Sequence, residues 1–522
     1  MIDVAGFDVA GFDVPELLAG LPARIDAIPR LHAARTPDAP ALTELGRTLS
    51  YRALADAVDR LAGLLRERGV RRGDRVLLVS ENCAAQVAAI FAAATLDAWI
   101  VNVNARLSAP ELEAIRAHSG ARMAIYTTAV SPDARAHAAQ AGAHAHEDAL
   151  LGDFMVGPCD GAALPEPDRA EPVAALVYTT GTTGQPKGVM LSHRNLLYVA
   201  AVSSRLRGLA PQDRAWGVLP VSHVYGLSSV MLGTLTAGAC LQLAPRFTPE
   251  GMLAAIRNDD DCGGLTIVQG VPAMYARLLE HLGGAARPAS TLRFAYAGGS
   301  PLDPALKAQV EAALGVPLHN GYGLTEAAPT VSQTRLAAPR ADTSVGYPIP
   351  GVEVRIVDRD GENAGSEAGE LWVRGPNVMQ GYYRAPDLTA QALRPGGWLN
   401  TGDLARRDPD GALFIVGRTR ELIIRSGFNV FPLEVETVLN AHPAVTQSAV
   451  VGRAVAGGEE EVVAFVQPAP HARVTPDELH AWAVARLAPY KRPGRIVLMD
   501  SLPAAATGKV LKHVLKAMAD SA

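Results

Sequence analysis

The sequence has 522 residues, of which 48% are hydrophobic and 19% charged, and a net charge of −5. These values are typical of a globular protein with enough apolar side chains for more than one core, so we expect at least two domains. Because the chain has no basic excess, a nucleic-acid partner is not expected. Its four cysteines are far apart in the sequence, which predicts reduced thiols rather than a disulfide framework.

No segment of the sequence predicts export or a membrane span. The first fifteen residues include three aspartates and no basic region, unlike a secretory signal, so we expect a cytoplasmic protein. The most apolar long segment, 84–103, is interrupted by Gln86, Thr95, Asp97 and Asn102, which favours a buried helix followed by a strand. Peripheral contact with a membrane and assembly as a homodimer both stay open.

Strands and helices alternate in the first 130 residues. Ser50 is placed to cap a helix that runs towards Arg68. Short apolar runs and the periodic segments between them imply a mostly parallel sheet. The predicted strands are Arg75–Ser80, Trp99–Val103 and Met123–Tyr126, and the predicted helices are Asn82–Thr95 and Pro110–Ser119. Residues 131–172, rich in Ala, Pro, Asp and His, are predicted to be a surface connector.

A second alternation of strands and helices spans residues 173–330, and residues 340–416 then change to short strands separated by Gly, Pro and Asp turns. After Arg420 the chain returns to a mixed α/β pattern. We therefore predict an α/β fold whose large N-terminal domain, 1–418, holds two α/β subdomains and a small β-barrel-like unit. The remainder, 419–522, is predicted to be a small, mobile α+β C-terminal domain.

The stretch Tyr178–Met190 has the composition of an anion-binding loop. It follows the apolar run Val173–Val177 and precedes a periodic segment that Ser192 can cap, so we expect a strand, a loop and a helix in that order. Glycines let backbone N–H groups turn towards an anion, threonine hydroxyls add donors, and a lysine adds positive charge. This chemistry fits a polyphosphate. The residues expected to bind it are Thr179, Thr180, Gly181, Thr182, Thr183, Gly184 and Lys187.

The spacing of this loop excludes the P-loop pattern, because Lys187 follows Gly184 by three residues and precedes Gly188. The stretch resembles instead the signature of the acyl-adenylate-forming superfamily, which includes acyl-CoA synthetases, luciferases and peptide-synthetase adenylation domains. Further stretches resemble the same superfamily in its usual order, so the resemblance covers nearly all of the chain from about residue 30. These stretches are 219–226, 297–301, 320–326, 398–404, 417–421, 424–436 and 502–510.

This resemblance implies a nucleotide site. Tyr322 would stack on the adenine base, Asp403 would accept the ribose hydroxyls, and Thr325 would donate to a phosphate. Glu326 would be a catalytic and metal-binding residue, since a carboxylate is the oxygen ligand that Mg²⁺ bridging the phosphates of ATP requires. Arg418 would also reach the nucleotide. The small residues expected to line the same site are Gly298, Gly299, Ser300, Gly321 and Gly323.

The resemblance also implies acyl, CoA and hinge sites. Lys509 would be a catalytic residue whose ammonium contacts the carboxylate oxygen and the α-phosphate in the transition state. His223 would be a further catalytic residue near the acyl carboxylate, and Arg420 would lie at the hinge between the domains. The acyl pocket would include Val224, Tyr225 and Gly226, and the CoA channel would include Ser426, Gly427 and Phe428.

The reaction implied is that of an acid–CoA ligase. A carboxylic acid would attack Mg-ATP to give acyl-AMP and pyrophosphate, the C-terminal domain would rotate, and CoA would displace AMP to give the thioester. The protein would mainly position two anions that repel each other and neutralise their charge. The presumed pocket segments are apolar and glycine-rich, which suits a medium or long alkyl chain or an aromatic ring.

The residues bear on several alternatives to this reaction, and nothing in them favours a luciferase-like oxygenase. An acyl-AMP ligase that loads a separate acyl carrier protein stays open. A peptide-synthetase adenylation protein is disfavoured, because no Asp or Glu between Asp213 and Glu250 could pair with an α-ammonium group. A non-catalytic nucleotide-binding regulator is disfavoured because Lys187, Glu326 and Lys509 occur together with Asp403 and Arg418.

Overall fold

The fold is that of a computed structural model of the chain. Its described residues form two large mixed sheets, a smaller antiparallel sheet, and a C-terminal unit with its own three-stranded sheet. The α/β class predicted from the sequence is confirmed. The structure describes residues 12–167, 169–180, 186–259, 263–284, 288–358, 368–425, 428–455, 460–469, 472–504 and 510–521.

The first large sheet has parallel strands at its centre. Arg75–Ser80 lies between Trp99–Asn104 and Met123–Tyr126 and pairs with both in parallel, as the apolar runs predict. All six residues of Arg75–Ser80 are buried, so this strand is a central part of the core. In order across the sheet, the strands are Gly381–Tyr382, Pro186–Ser192, Val173–Thr180, Trp99–Asn104, Arg75–Ser80, Met123–Tyr126, Phe154–Val156 and His144–His146.

The helices predicted beside these strands are confirmed. The Ser50 side chain accepts a hydrogen bond from the Ala53 N–H at 3.2 Å and caps the helix Tyr51–Glu67. Eleven of the twelve residues of the helix Ala84–Thr95 are buried, which explains why the sequence is so apolar there. Among the described residues, no helix is long and apolar enough to cross a membrane.

The surface connector predicted at residues 131–172 contains regular secondary structure that its composition did not predict. This segment contains the helix Pro132–Gln140 and two short strands, His144–His146 and Phe154–Val156. The second strand pairs antiparallel with Met123–Tyr126 and so extends the first sheet at its edge. Strands of three residues are too short to show an alternating pattern, so composition alone suggested a loop.

The order strand, loop, helix predicted around the Gly/Thr-rich loop was wrong. The loop joins two antiparallel strands, because Pro186–Ser192 pairs with Val173–Thr180 before the helix His193–Leu206 begins. The predicted cap of that helix is confirmed, since the Ser192 hydroxyl accepts from the Asn195 N–H at 3.1 Å. The loop therefore lies at the end of a hairpin, seven residues before the helix.

The second large sheet holds the remaining strands of the N-terminal α/β region. Its strands from Arg214 to Asn320 run parallel, so their carboxyl ends lie along one edge, where ligands of open α/β sheets bind. Leu318–Gly323 also pairs antiparallel with Thr330–Gln333. In order, the strands are Tyr347–Pro348, Thr330–Gln333, Leu318–Gly323, Phe294–Ala297, Ile267–Gly270, Arg214–Gly217, Cys240–Leu243, Pro40–Glu44 and Arg47–Ser50.

The small β unit predicted at residues 340–416 is confirmed as an antiparallel sheet, and the C-terminal region is α+β. The strands of the small sheet are Glu353–Val357, Gly369–Arg374, Leu393–Arg394, Trp398–Arg407 and Leu413–Arg418. The C-terminal region has the hairpin of Ile423–Arg425 and Phe428–Val430 and the three-stranded sheet of Val445–Ala454, Glu460–Pro468 and Arg495–Leu498.

The other described helices connect these strands. In the N-terminal region they are Val14–Gly20, Ala27–Arg35, Ala109–Ser119, Gly233–Thr236, Pro249–Arg257, Pro272–Leu282, Pro304–Leu314 and Pro386–Ala392. In the C-terminal region they are Pro432–Asn440, Pro476–Val484 and Lys512–Asp520. Three single turns are 3-10 helices, Thr325–Ala327, Thr419–Glu421 and Pro489–Lys491, and Tyr225–Leu232 is a π-helix.

Candidate active site

Three residues expected to bind the nucleoside lie in direct contact. Tyr322 is the penultimate residue of the strand Leu318–Gly323, and its hydroxyl donates to Asp403 Oδ2 at 2.5 Å. Arg418 Nε lies 3.0 Å from the other oxygen, Asp403 Oδ1. Asp403 is only 5% exposed, so its carboxylate has little contact with water. One phenol and one guanidinium stabilise its charge instead. Burial and the Asp403 carboxylate raise the pKa of Tyr322, which therefore stays a hydrogen-bond donor at neutral pH.

The residues expected at the phosphates are joined by a tyrosine that the sequence did not single out. The Tyr382 hydroxyl donates to Glu326 Oε1 at 2.8 Å. The Lys187 ammonium lies 5.4 Å from the centre of the same ring, within the range of a cation–π contact. Tyr382 thus connects the loop lysine with the carboxylate predicted to hold Mg²⁺. Burial, together with the Glu326 charge, raises the pKa of Tyr382 and keeps its proton on the phenol.

Arg418 links these two groups electrostatically. Burial opposes the charge of Arg418, but the carboxylates of Asp403 and Glu421 raise its pKa, with a smaller contribution from Glu326. Since Tyr322 and Glu326 lie only four residues apart, on a strand and on the 3-10 turn that follows it, the nucleoside and phosphate groups belong to one site. One oxygen of Glu326 is engaged by Tyr382, and a carboxylate held in this way suits a hard cation such as Mg²⁺ when phosphate oxygens complete its shell.

The two strands that flank the Gly/Thr-rich loop bring Lys187 to this site. Thr179 lies opposite Lys187 in the antiparallel register, so this pair of strand residues places a hydroxyl beside the lysine. Thr180 pairs with Pro186 at the end of the ladder. The other predicted loop residues, Gly181, Thr182, Thr183 and Gly184, lie outside the described residues, as do Ser426, Gly427 and Lys509.

The predicted small residues lie where side chains would collide with backbone or rings. A Cβ on Gly323 would lie 2.2 Å from the Pro329 carbonyl oxygen, and one on Gly321 would lie 3.0 Å from the Ser332 carbonyl oxygen. Gly299 has a φ of +80°, a conformation that favours glycine, and it precedes the predicted site residue Ser300. Thr325 is 7% exposed and lies in the same 3-10 turn as Glu326.

The residues expected at the acyl group surround the start of a π-helix. A Cβ on Gly226 would lie 2.2 Å from the Pro220 carbonyl oxygen, so only glycine fits there. The Tyr225 ring lies 3.1 Å from the position of a Cβ on Gly298, which brings the acyl and nucleotide stretches together. His223 is exposed, and its Nδ1 accepts a hydrogen bond from the Tyr225 N–H at 3.3 Å, whereas Val224 is 1% exposed.

The predicted hinge lies between two anchored residues. A single 3-10 turn, Thr419–Glu421, follows Arg418 of the nucleotide network. The last residue of that turn forms an ion pair with Lys512 at 3.2 Å, and Lys512 also contacts Glu436 at 2.8 Å. Arg420 therefore lies between a residue bonded to the N-terminal region and one bonded to the C-terminal region.

The residue expected in the CoA channel is exposed on the short hairpin after the hinge. Phe428 is 53% exposed and stacks on Tyr490 with ring centres 4.4 Å apart. Neither the stacking partner nor Tyr382 was predicted from the sequence. A single tyrosine gives no sequence signal of a binding role by itself. Only the Gly-Tyr-Tyr-Arg run at 381–384 could have drawn attention to Tyr382.

Comparisons with known proteins identify the family of the chain. The AMP-binding enzyme family matches residues 30–383, and the AMP-binding enzyme C-terminal domain matches residues 434–509. A feruloyl-CoA synthase from an Amycolatopsis species is 37% identical over 493 residues, which cover 93% of this chain and 96% of that protein. A 2-succinylbenzoate–CoA ligase from Geobacillus kaustophilus is 36% identical over 499 residues, which cover 92% of this chain and 95% of that one.

A solved structure extends this similarity to the fold. The o-succinylbenzoate CoA synthetase of Bacillus subtilis, in complex with ATP and a magnesium ion, is 30% identical and superposes with a TM-score of 0.79. The superposition covers 94% of this chain and 99% of that chain, so both the large and the small regions are shared. The chain therefore belongs to the AMP-binding enzyme family.

Proposed function

We propose that the protein is an acid–CoA ligase that forms acyl-CoA through an acyl-AMP intermediate, using ATP and Mg²⁺ and releasing pyrophosphate and AMP. The contacts from Lys187 through Tyr382 to Glu326, beside those of Tyr322 and Arg418 with Asp403, carry the proposal. Two cations and two carboxylates in one site suit a nucleoside triphosphate with its metal ion. The names of the relatives support a carboxylic acid as the second substrate and CoA as the acceptor.

Each group has a separate part in the proposed first step. Asp403 would accept the ribose hydroxyls through the acceptor sites that Tyr322 and Arg418 leave free. Lys187 and the loop threonines would neutralise the phosphates, and Glu326 would hold the metal ion that bridges them. Positioning the acid in line with the α-phosphorus, with its charge balanced, is then the main contribution of the protein.

The two half-reactions test this proposal separately. We expect acid-dependent release of pyrophosphate from ATP when CoA is absent, and acyl-CoA when CoA is added to the preformed acyl-AMP. A panel of aromatic and alkyl acids in the first assay would also identify the acyl class, and the named relatives favour an aromatic ring. If no acid releases pyrophosphate, the protein is not an adenylating enzyme.

The acceptor is tested by the second assay alone. If acyl-AMP forms but CoA gives no thioester, while a phosphopantetheinylated carrier protein accepts the acyl group, the alternative of an acyl-AMP ligase replaces the CoA ligase. Single-turnover measurement with isolated acyl-AMP avoids any dependence of this result on the rate of the first step.

A further inference from the structure

Arg207 is a buried cation with few partners. It follows the helix His193–Leu206 and is 2% exposed. Its hydrogen bonds both leave from Nη1, one to the Ser229 carbonyl oxygen at 3.2 Å and one to Gln269 Oε1 at 2.6 Å. Its guanidinium also lies 4.5 Å from the centre of the Tyr296 ring. Within the described part of the chain, no carboxylate lies within ion-pair distance of it.

A second buried arginine in the same protein has hydrogen-bond acceptors on all sides of its guanidinium. Arg75 is also 2% exposed, but it donates to four carbonyl oxygens, those of Gly73, Ser119, Gly120 and Leu164, at 2.8–3.0 Å. Its environment therefore accounts for its burial. Arg207 has one carbonyl and one side-chain amide, and its buried Nε donates to no described atom. Buried charges are ordinarily paired, so this difference needs an explanation.

The surroundings of Arg207 hold further donors without acceptors. Gln269 is 1% exposed, and its Nε2 has no described partner although its Oε1 binds Arg207. The buried Tyr225 hydroxyl also has no described partner, and the positive charge of Arg207 opposes the effect of burial on the pKa of that phenol. All three unpartnered groups can donate a hydrogen bond, so an acceptor is what this cluster would bind.

The nearest titratable neighbours do not supply negative charge. His319 interacts with Arg207, and burial, together with Lys307, lowers the pKa of His319 to about 4, so its ring is neutral at pH 7. Burial raises the pKa of Tyr296, which is therefore neutral as well. An anionic acceptor would gain both the guanidinium charge and several hydrogen bonds in a place shielded from water.

The position of the cluster connects it with the acid substrate. Tyr225 lies against Gly298, at the contact between the stretches expected to bind the acyl group and the nucleotide. Ser229 belongs to the same π-helix as Tyr225, and Gln269 is the penultimate residue of a parallel strand, near the ligand-binding edge of the second sheet. Resting on the proposed acid–CoA ligase function, we propose that Arg207, with Gln269 and Tyr225, binds a second acidic group on the far end of the acid substrate.

This assignment makes the substrate a diacid or a close analogue of one, whose reactive carboxylate faces ATP and whose other acidic group is held by Arg207. It opposes an apolar alkyl chain as the buried end, because methylene groups would leave the guanidinium unpaired. The planar fork of arginine suits a carboxylate, which it can contact through two parallel N–H groups.

Matched pairs of acids test the assignment in the whole protein. Each aromatic or alkyl diacid is compared with its monomethyl ester, which keeps length and shape but removes one charge. In acid-dependent pyrophosphate release we expect the diacid of at least one skeleton to exceed its ester by about tenfold or more in kcat/KM. Arg207→Met should lower kcat/KM for that diacid by about 100-fold, because its second charge is then buried without a partner.

The ester is the internal control for folding and chemistry. With Arg207→Met its kcat/KM should stay level or rise, and Arg207→Lys should fall between, since it keeps the charge but not the fork. If Arg207→Met does not fold, two other measurements replace it. One is the kcat/KM of Gln269→Leu for the diacid and its ester, and the other is the thermal shift that each acid gives to the unaltered protein.

An equal loss of kcat/KM for diacid and ester, or a preference for the ester with every skeleton, would mean that Arg207 only stabilises the fold. Activity without diacid preference overturns this assignment, whereas no pyrophosphate release with any acid overturns the proposed function.

Discussion

One phenol connects the two charged residues that the sequence identifies at the phosphates. Lys187 belongs to the Gly/Thr-rich stretch and Glu326 to a stretch that resembles the superfamily, so the local sequence points to both. Tyr382 could not be found in the same way, because its place depends on the pairing of Gly381–Tyr382 with Val189 and Met190, almost two hundred residues earlier. No local pattern in the sequence carries a contact of that separation.

Tyr382→Phe tests whether this phenol positions the carboxylate. The ring stays beneath Lys187, but the hydrogen bond to Glu326 is lost, and such a bond to a charged group contributes about 1.5–3 kcal/mol. We expect the Mg²⁺ concentration for half-maximal pyrophosphate release to rise by about tenfold or more, with a smaller change in the KM of the acid. A titration with Mg²⁺ at fixed ATP measures this directly.

The neighbouring tyrosine supplies a matched control. Tyr383 donates to Glu166 at 2.5 Å, in a different place, so Tyr383→Phe removes a similar bond without touching Glu326. It should leave the Mg²⁺ dependence within about twofold of the parent, even if stability falls by the same 1.5–3 kcal/mol or so of a hydrogen bond to a charged group. The same Mg²⁺ dependence in Tyr382→Phe and in the parent would make Tyr382 a purely structural residue.

At the scale of helices and strands, the sequence predicts what local periodicity determines. The buried strand Arg75–Ser80, the helix after Ser50 and the helix after Ser192 all follow from apolar spacing and caps. The hairpin partner Pro186–Ser192 was missed, because a strand that follows a glycine-rich loop reads like the approach to a helix. Its assignment depends on hydrogen bonds to Val173–Thr180 rather than on its own composition.

The last helix is held in place by the ion pairs of one lysine. Lys512 begins the helix Lys512–Asp520 and contacts both Glu421, beside the hinge, and Glu436. Lys512→Met would leave two partly buried carboxylates without their cation, and breaking such a pair costs about 3–5 kcal/mol. We expect the C-terminal region to unfold or be cleaved at lower temperature, as limited proteolysis across a temperature series would show.

Lys516 lies one turn further along the same helix and is the control for that change. Its ammonium is half exposed, donates to the Gly452 carbonyl oxygen and lies 3.9 Å from Glu460. Because exposed ion pairs contribute about 0–1 kcal/mol, Lys516→Met should shift the cleavage temperature only slightly. Similar shifts for both variants would show that charge on this helix, rather than the contact with Glu421 and Glu436, is what matters.

At the scale of the whole molecule, the site is assembled from segments spread over more than two hundred residues. The sequence predicted Tyr322, Asp403 and Arg418 as separate contributors, but not that one carboxylate would hold the other two. Each Asp403 oxygen has one protein partner, and a carboxylate has about four acceptor sites, so ribose hydroxyls can bind beside Tyr322 and Arg418. The division of the chain into domains at 418 and 419 stays a prediction, and so does the rotation of one domain against the other.

The hinge prediction follows from the two anchors on either side of Arg420. Arg418 is bonded to Asp403 and Glu421 to Lys512, so a change of domain orientation would be concentrated in the backbone between them. Proline fixes φ near −65° and restricts the residue before it, so Arg420→Pro should favour one orientation. If that is the adenylating orientation, pyrophosphate release in one turnover should stay near the parent rate, while thioester formation from supplied acyl-AMP falls steeply.

Arg420→Ala separates the backbone effect from the side chain, because it removes the guanidinium but leaves φ free. It should be much milder than Arg420→Pro in the half-reaction that proline blocks, and both variants should keep the parent's thermal stability to within a few degrees, since this turn is exposed. Loss of the opposite half-reaction would mean that proline favours the thioester-forming orientation, and it would still place the pivot here. If Arg420→Pro leaves both rates within about twofold of the parent, the pivot lies elsewhere or the reaction needs no rotation.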